Sequence, residues 1–554
     1  MTETNRRVGR TPGLQTTHRS TLQRLAAQTR EGRLDRREFT ALASILGLSA
    51  SASGAMIGMA PKRAVSQQPQ RGGELRVAMR VMNIADPRKF DWPEMANVAR
   101  QFCETLVRWE PDFSFTPQLL EGWEVAEDAS RYVLSIRQGV SWTNGDAFTA
   151  EDVAHNIRRM CDATVEGNSM ATALSSLIDG DTKQLADGAL EIVDDFTVVL
   201  TPTRPDISLI PALSDYPALI VHRSHGDDSD LAQSPIGTGP FELESLEVGG
   251  FARVLRRTSG AWWGGEALLD AIEFNDFGTD PAPMIAALES GDVHVNDETP
   301  ADLVPQLDAV GLERQEKETA QTIVCRMNVK AEPYTDVRVR RAIQMLTDNT
   351  ITLQVGLEGR GLVAENHHVG PMHPEYAEMA APEIDVEKGL AMLEEAGARE
   401  TEFDLISIDG DFQRTTMDAV AGQLRQAGLT IKRTVIPGAT FWNNWTGYPF
   451  SATDWGGRPL GVQVLALAYR SEEPWNETGF ADPEFDAALD EALGIFDPDA
   501  RRVPTEICQT RLREAGVIIQ PYWRKMYLHH APELHGYERH QAREMVFEKA
   551  WLES

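Results

Sequence analysis

The segment from Met417 to Ile436 constrains the fold more than any other. Met417, Val420 and Leu424 fall on one face of a helix, and Gly428 stops it. Leu429 and Ile431 then alternate with polar residues, and Val435-Ile436 follow. A helix, a glycine stop and an immediate strand form the repeating unit of α/β sheets. Further helical stripes occur at Val339, Ile343 and Leu346, at Val386, Leu390 and Leu393 before Gly397, and at Phe485, Leu489 and Leu493. Strands are expected over 74–79, with Leu75 and Val77 on one face, and over 131–137, where Tyr132, Leu134 and Ile136 alternate. Asn144-Gly145 signals a tight turn. Thr149, with Asp152 three residues on, caps a helix over 149–160 that carries Val153, Ile157 and Met160 on one side. No internal repeat appears. The chain reads as mixed α/β in more than one lobe, and 554 residues suffice for three or four domains at roughly 150 residues each. A chain of this length buries a large core without a disulfide or metal staple.

Charge excludes some functions. Lys and Arg number 53 against 84 Asp and Glu, a net charge of −31. The first 60 residues are basic, so the acidity lies in the body. Such a body repels phosphate backbones and anionic lipid, which excludes nucleic acid as a partner. The acidity serves solubility or attracts cationic ligands, and composition does not separate the two. Cys103, Cys161, Cys325 and Cys508 stand far apart and form no CxxC pattern. They read as buried small apolar residues rather than zinc ligands or a disulfide set.

Residues 1–35 are polar and Arg-rich, without hydrophobic periodicity. Asp35-Arg36-Arg37-Glu38-Phe39 and a weakly apolar run from Ala41 to Ala60 follow. This resembles a twin-arginine export signal over 1–60. Gly58-Met59-Ala60 offers small residues for cleavage near Ala60, and 61–71 reads as a polar linker. The alternative is a retained membrane anchor, against which stand the Ser and Gly residues of the run. The mature chain should be soluble.

Several segments in order then point one way: 102–109 (FCETLVRW), 115–123 (FTPQLLEGW), 131–142 (RYVLSIRQGVSW), 143–153 (TNGDAFTAEDV), 235–241 (PIGTGPF), Ala261-Trp262-Trp263, 336–343 (DVRVRRAI) and 475–486 (WNETGFADPEFD). Together they resemble the family 5 extracellular solute-binding proteins of ABC importers, the peptide/nickel/opine group, from about Gly72 to about Tyr537. The resemblance implies a two-lobed α/β periplasmic-binding-protein fold of type II, in its large three-domain variant. Domain I would comprise 72–113, 231–312 and 521–554, domain II 114–230, and domain III 313–520. It implies a hinged clamp that hands a small solute to an ABC permease and ATPase, acts as a monomer in the periplasm, and needs no cofactor. The Pro235–Pro240 run would mark a sharp re-entry into domain I. It lacks the Lys-Ser/Thr ending of a phosphate loop.

The resemblance also locates a site. In peptide-binding relatives an Asp in the segment corresponding to 441–458 holds the ligand's α-amino group, and Asp454 matches it; otherwise Asp454 caps a turn before Gly456-Gly457. Trp442, Trp445, Tyr448 and Trp455 crowd the same segment, as a cation–π wall or as core. Arg458 would hold a ligand carboxylate or pair with a surface acid. The loop 82–87 reaches the ligand in relatives, making Asn83 a candidate and Asp86-Pro87 a turn. The WGGRP sequence at 455–459 departs from known peptide-binding patterns. His367, His368 and His373 tempt a metal reading, but the run is broken by Gly and Pro, and an exposed loop without metal is expected. Rival functions are a periplasmic hydrolase, a metal-chelate (nickel-type) carrier, and a scaffold or chemoreceptor partner. No G-x-S-x-G or H-E-x-x-H motif supports an enzyme.

Overall fold

The computed structural model describes residues 14–58 and 68–553. Met59, Ala60 and residues 61–67 lie outside the described residues, and with them the expected cleavage site and most of the expected linker. The expected elements form. The stripe through Met417, Val420 and Leu424 is the helix Asp411–Gln426, with all three side chains fully buried. Gly428 follows at φ +90°, a left-handed conformation that favours glycine, and the strand Thr430–Ile436 begins directly after it. Glu74–Ala78 and Tyr132–Ile136 are strands, and Ala150–Met160 is a helix whose Asp152 carboxylate accepts from the Thr149 amide at 2.9 Å.

Twelve strands among the described residues share one sheet. Its order begins Thr430–Ile436, Glu402–Ile408, Phe450–Trp455, Glu313–Met327, Tyr522–His530. It continues Val295–Asn296, Glu74–Ala78, Ala271–Asn275, Phe251–Arg256, Phe241–Glu247, ten in line, while Gly361–Val363 and Ile518–Ile519 pair beside Tyr522–His530 and Glu313–Met327. One half of the sheet is built by chain before residue 313, the other by chain after it. Two strands join the halves. Glu313–Met327 pairs first with the end of Tyr522–His530 (Glu313 opposite His530), then with Phe450–Trp455 (Met327 opposite Phe450). The register shifts between Glu318 and Thr322, so the ladder is interrupted where the chain crosses from one half to the other. Separate hydrophobic clusters lie under each half: one around Val77, Phe102, Phe241 and Phe274, another around Ile343, Leu405, Val420 and Phe450. A four-stranded antiparallel sheet, in the order Leu120–Val125, Tyr132–Ile136, Thr197–Leu200, Leu190–Asp194, lies over a third cluster that also takes in Trp455, Leu465, Phe485 and Leu512 from the second half.

The motifs scattered along the sequence meet in space. Glu104 from the first motif is buried and accepts from the indole N–H groups of both Trp262 (3.2 Å) and Trp263 (3.1 Å). Arg137 lies over the Trp263 ring at 4.0 Å. The Pro235–Pro240 run passes so close to the 101–103 backbone that a Cβ on Gly237 would sit 1.8 Å from the Phe102 carbonyl oxygen. All four cysteines are free and buried.

The 365–374 expectation is corrected, and the N-terminal segment carries structure on which the sequence reading makes no statement. The Arg-rich N-terminus forms helices, Leu14–Arg30, Arg36–Ile45 and Ala50–Met56. They bury Leu25, Ala26, Leu34, Phe39 and Leu42 together, and dock on the body: the Trp123 indole donates to the Ile45 carbonyl at 2.8 Å and the Phe115 amide to Ser44 Oγ at 2.8 Å. The 365–374 loop is not exposed. His367, His368 and His373 are 1–2% accessible, because each ring has polar and aromatic partners inside the fold. No described helix is long and apolar enough to cross a membrane.

Candidate functional site

A cavity of about 190 Å³ opens between the two halves. The first half supplies Asp91, Trp92 and Pro93, at the start of the helix Pro93–Ala99, together with Tyr216. The second supplies Trp442, Trp445, Thr453 to Arg458, and Trp475. Gln321 reaches it from the crossing strand, beside the register shift, and Ala542 and Arg543 from the C-terminal segment. A solute inside therefore touches chain on both sides of the crossing.

Five indoles form the wall. Trp92 meets Trp442 edge to face at 5.2 Å, Trp442 meets Trp445 at 5.9 Å, and Trp445, Trp455 and Trp475 form a triangle with centroids 6.0–6.2 Å apart. The Trp92–Trp442 contact joins the halves directly. These spacings are those of favourable aromatic pairs.

Trp455 is fixed from behind. Its indole donates to Glu477 Oε1 at 2.9 Å, and Glu477 also accepts from Thr453 and from Arg326 Nε at 2.9 Å. Glu477 and Arg326 are both buried; burial raises the carboxyl's pKa and lowers the guanidinium's. Arg326 further donates to the Trp445 and Tyr448 carbonyls, fixing the aromatic segment's backbone. His368 sets its ring edge to face against Trp455 at 5.7 Å and bonds the Tyr469 hydroxyl through Nδ1 at 2.7 Å, while His373 Nε2 reaches the Arg458 carbonyl at 3.2 Å. The histidine loop is thus the back wall of the site. Among the described residues no group of three or more His, Cys, Asp or Glu side chains is placed to hold a metal.

Asp454 lies opposite Ile323 in the sheet and faces the cavity with Gln413 Nε2 as its hydrogen-bond partner at 3.2 Å. Burial raises its pKa, opposed by that hydrogen bond and by the more distant Arg524 and Arg543. Arg458 pairs with Asp215 at 3.3 Å, and Arg543 with Glu94 at 2.7 Å and Asp297 at 2.5 Å.

Of the residues expected at the site, Asp454, Trp455, Trp442, Trp445 and Arg458 line the cavity. Tyr448 does not: it stacks on Phe441 at 5.1 Å and packs with Ile406 and Ile408. Asn83 does not either; it is exposed, and its Oδ1 accepts from the Ala85 amide at 3.0 Å. Asp86 does form the expected turn, and is buried against Arg88 and Arg159. Sequence reading missed Asp91, Trp92 and Trp475. Trp475 stands at the head of the WNETGF motif, whose Glu477 holds Trp455, and that adjacency is the one signal that was available.

One sheet shared by two halves, with a cavity where they meet, defines the two-lobed type II periplasmic-binding-protein fold. Residues 114–477 match the model of the bacterial extracellular solute-binding proteins, family 5 (Middle), and the chain belongs to that family. It is 25% identical over 295 residues to the dipeptide-binding protein of Escherichia coli (strain K12), which covers 51% of this chain and 55% of that protein. The match thus spans about half the length of that relative. To the nickel-binding periplasmic protein of the same organism it is 22% identical over 458 residues, 78% of this chain and 85% of the other. Among solved structures, the E. coli murein tripeptide binding protein MppA superposes with a TM-score of 0.77 at 19% identity, covering 87% of this chain and 98% of that one. AgaA from A. tumefacien R10, in complex with agropinic acid, gives 0.76 at 21% identity over 87% and 99%.

Proposed function

We propose that the protein captures a small solute between its lobes in the periplasm and delivers it to an ABC permease and its ATPase in the inner membrane. The observation that carries this reading is the cavity lined from both sides of two crossing strands. A ligand touching both lobes favours closure by its differential affinity, and moving a clamp from 1:99 to 99:1 closed takes about 5.5 kcal/mol of that difference. No bond need be made or broken, so the solute is returned unchanged and the protein acts as a binding protein rather than a hydrolase. Asp454, Trp455, Trp442, Trp445 and Arg458 are the binding residues in this reading. The cavity is little larger than the ~150 Å³ that holds one benzene, which favours a small solute over an extended oligopeptide.

In this reading domain I comprises 72–113, 231–312 and 521–554, domain II 114–230, and domain III 313–520. The Arg36-Arg37 pair before a weakly apolar run supports export by the twin-arginine route, with cleavage near Ala60, and the molecule acts as a monomer. Mass spectrometry of whatever co-purifies with gently isolated protein, followed by small-angle scattering with and without that compound, tests the reading. A more compact particle with the compound intact is the expected result. A particle of unchanged dimensions, or a chemically altered compound, would overturn it.

A further inference from the structure

The cavity's charges are unevenly matched. Its two arginines are both committed to protein carboxylates, Arg458 to Asp215 and Arg543 to Glu94 and Asp297. Its own two carboxylates are not committed to cations: among the described residues neither Asp91, at the mouth, nor Asp454, deeper in, forms an ion pair, and Asp454 has an amide, Gln413, as partner. A second observation is independent of charge. Arginines elsewhere stack on Phe113, Trp263, Tyr527 and Phe412, but among the described residues none stacks on any of the five cavity indoles. Trp92, Trp442, Trp445 and Trp475 are half-buried rather than fully covered, so part of their ring surface faces the cavity.

We infer that the solute is a small organic cation, an amine, guanidinium or quaternary ammonium compound without a carboxylate of its own. The inference rests on the solute-binding reading and narrows its ligand. Indole faces attract cations through the ring quadrupole, most strongly when the cation is desolvated, as it is in a closed cleft. A carboxylate supplies the charge-assisted hydrogen bond or counter-charge. An amino acid, dipeptide or acidic opine would bring a carboxylate to a cavity whose arginines already face protein carboxylates, where it would also meet Asp454 and Asp91; Arg458 then lines the site as half of its Asp215 pair rather than as a carboxylate clamp.

The test titrates the intact protein, freed of co-purified solute by unfolding and refolding, with putrescine, agmatine and choline, and in parallel with a neutral dipeptide and an acidic opine. Indole fluorescence and calorimetry report binding, and scattering reports closure. At least one cation should bind and close the lobes. Asp454→Asn should weaken it roughly 10- to 100-fold, and Trp442→Leu should also weaken it, with unchanged circular dichroism and melting in both variants. Should Asp454→Asn fold poorly, the same comparison with Asp91→Asn decides. Closure by dipeptide or opine with no response to the cations would overturn the inference and leave solute binding standing. Closure by none of the five would overturn the inference, whereas failure of the co-purified compound to close the lobes would overturn solute binding itself.

Discussion

Glu477 shows how a residue outside the cavity governs one inside it. It is 2% exposed and holds three groups at once: the Trp455 indole, the Thr453 hydroxyl and the fully buried Arg326. Replacing Glu477 by Gln would leave Arg326 charged and unpaired in the interior. Breaking a buried pair from one side costs about 3–5 kcal/mol. Urea denaturation of Glu477→Gln should show a loss of that order, with Trp455 freed to move and solute affinity lowered. A variant within 1 kcal/mol of the parent would remove Glu477 from this role. At this scale the sequence was legible where the site is contiguous. Asp454, Trp455, Trp442, Trp445 and Arg458 lie within one stretch and reach one cavity. Asp91 and Trp92 arrive from a segment some 350 residues away, and only the fold brings them there. Tyr448 misled because aromatic density does not say which face of a short irregular segment points inward. Its ring stacks on Phe441 instead.

The elements were legible wherever periodicity and a stop signal agreed, as in the helix–Gly428–strand unit. They were not where tertiary contacts overrode composition. In the N-terminal helix Leu14–Arg30, Leu22, Leu25 and Ala26 do make a short stripe, but polar residues surround it, and its burial depends on Phe39 and Leu42 of the next helix. The 365–374 loop is polar in composition and buried in fact. That burial has a consequence in acid. Desolvation holds His368 down at about 3 and also lowers His367 and His373. In the unfolded chain each would titrate near 6.5. The unfolded state therefore binds more protons between these values, so stability is complete above about pH 6.5 and is lost as pH falls toward 3. Each such histidine contributes up to about 1.4 kcal/mol per pH unit. Urea denaturation at pH 7 and pH 5 should show the loss, and His368→Asn, suited to the positive φ of 57° at this position, should reduce the difference between the two. An equal difference in both proteins would place the acid sensitivity elsewhere.

At the scale of the whole molecule, the N-terminal helices touch both halves. Toward the first, Ser44 and Ile45 accept from Phe115 and Trp123. Toward the second, Gln28 donates to Asp499 and Arg24 pairs with Asp497 at the head of the helix Pro498–Ala515. Phe115 and Trp123 precede the first crossing strand, and Asp497 lies between the two. Both attachment regions border the cluster that Phe115 and Trp123 share with Phe485, Cys508 and Leu512, so they move relative to each other only where opening parts that cluster. Where it does, a chain that keeps its N-terminal helices must break one set of contacts to open, whereas a chain without residues 1–60 has none to break. The full chain should therefore scatter as a more compact particle than the shortened chain when both are free of solute, and should release bound solute more slowly in stopped-flow indole fluorescence. The exposed ion pairs add little, since such pairs are worth about 0–1 kcal/mol. The contacts toward the second half are polar and partly exposed, so the difference should be small and should shrink further at high salt, which screens the Arg24–Asp497 pair. Equal dimensions and equal release rates for the two chains would show that the segment rides on one lobe and leaves the hinge untouched.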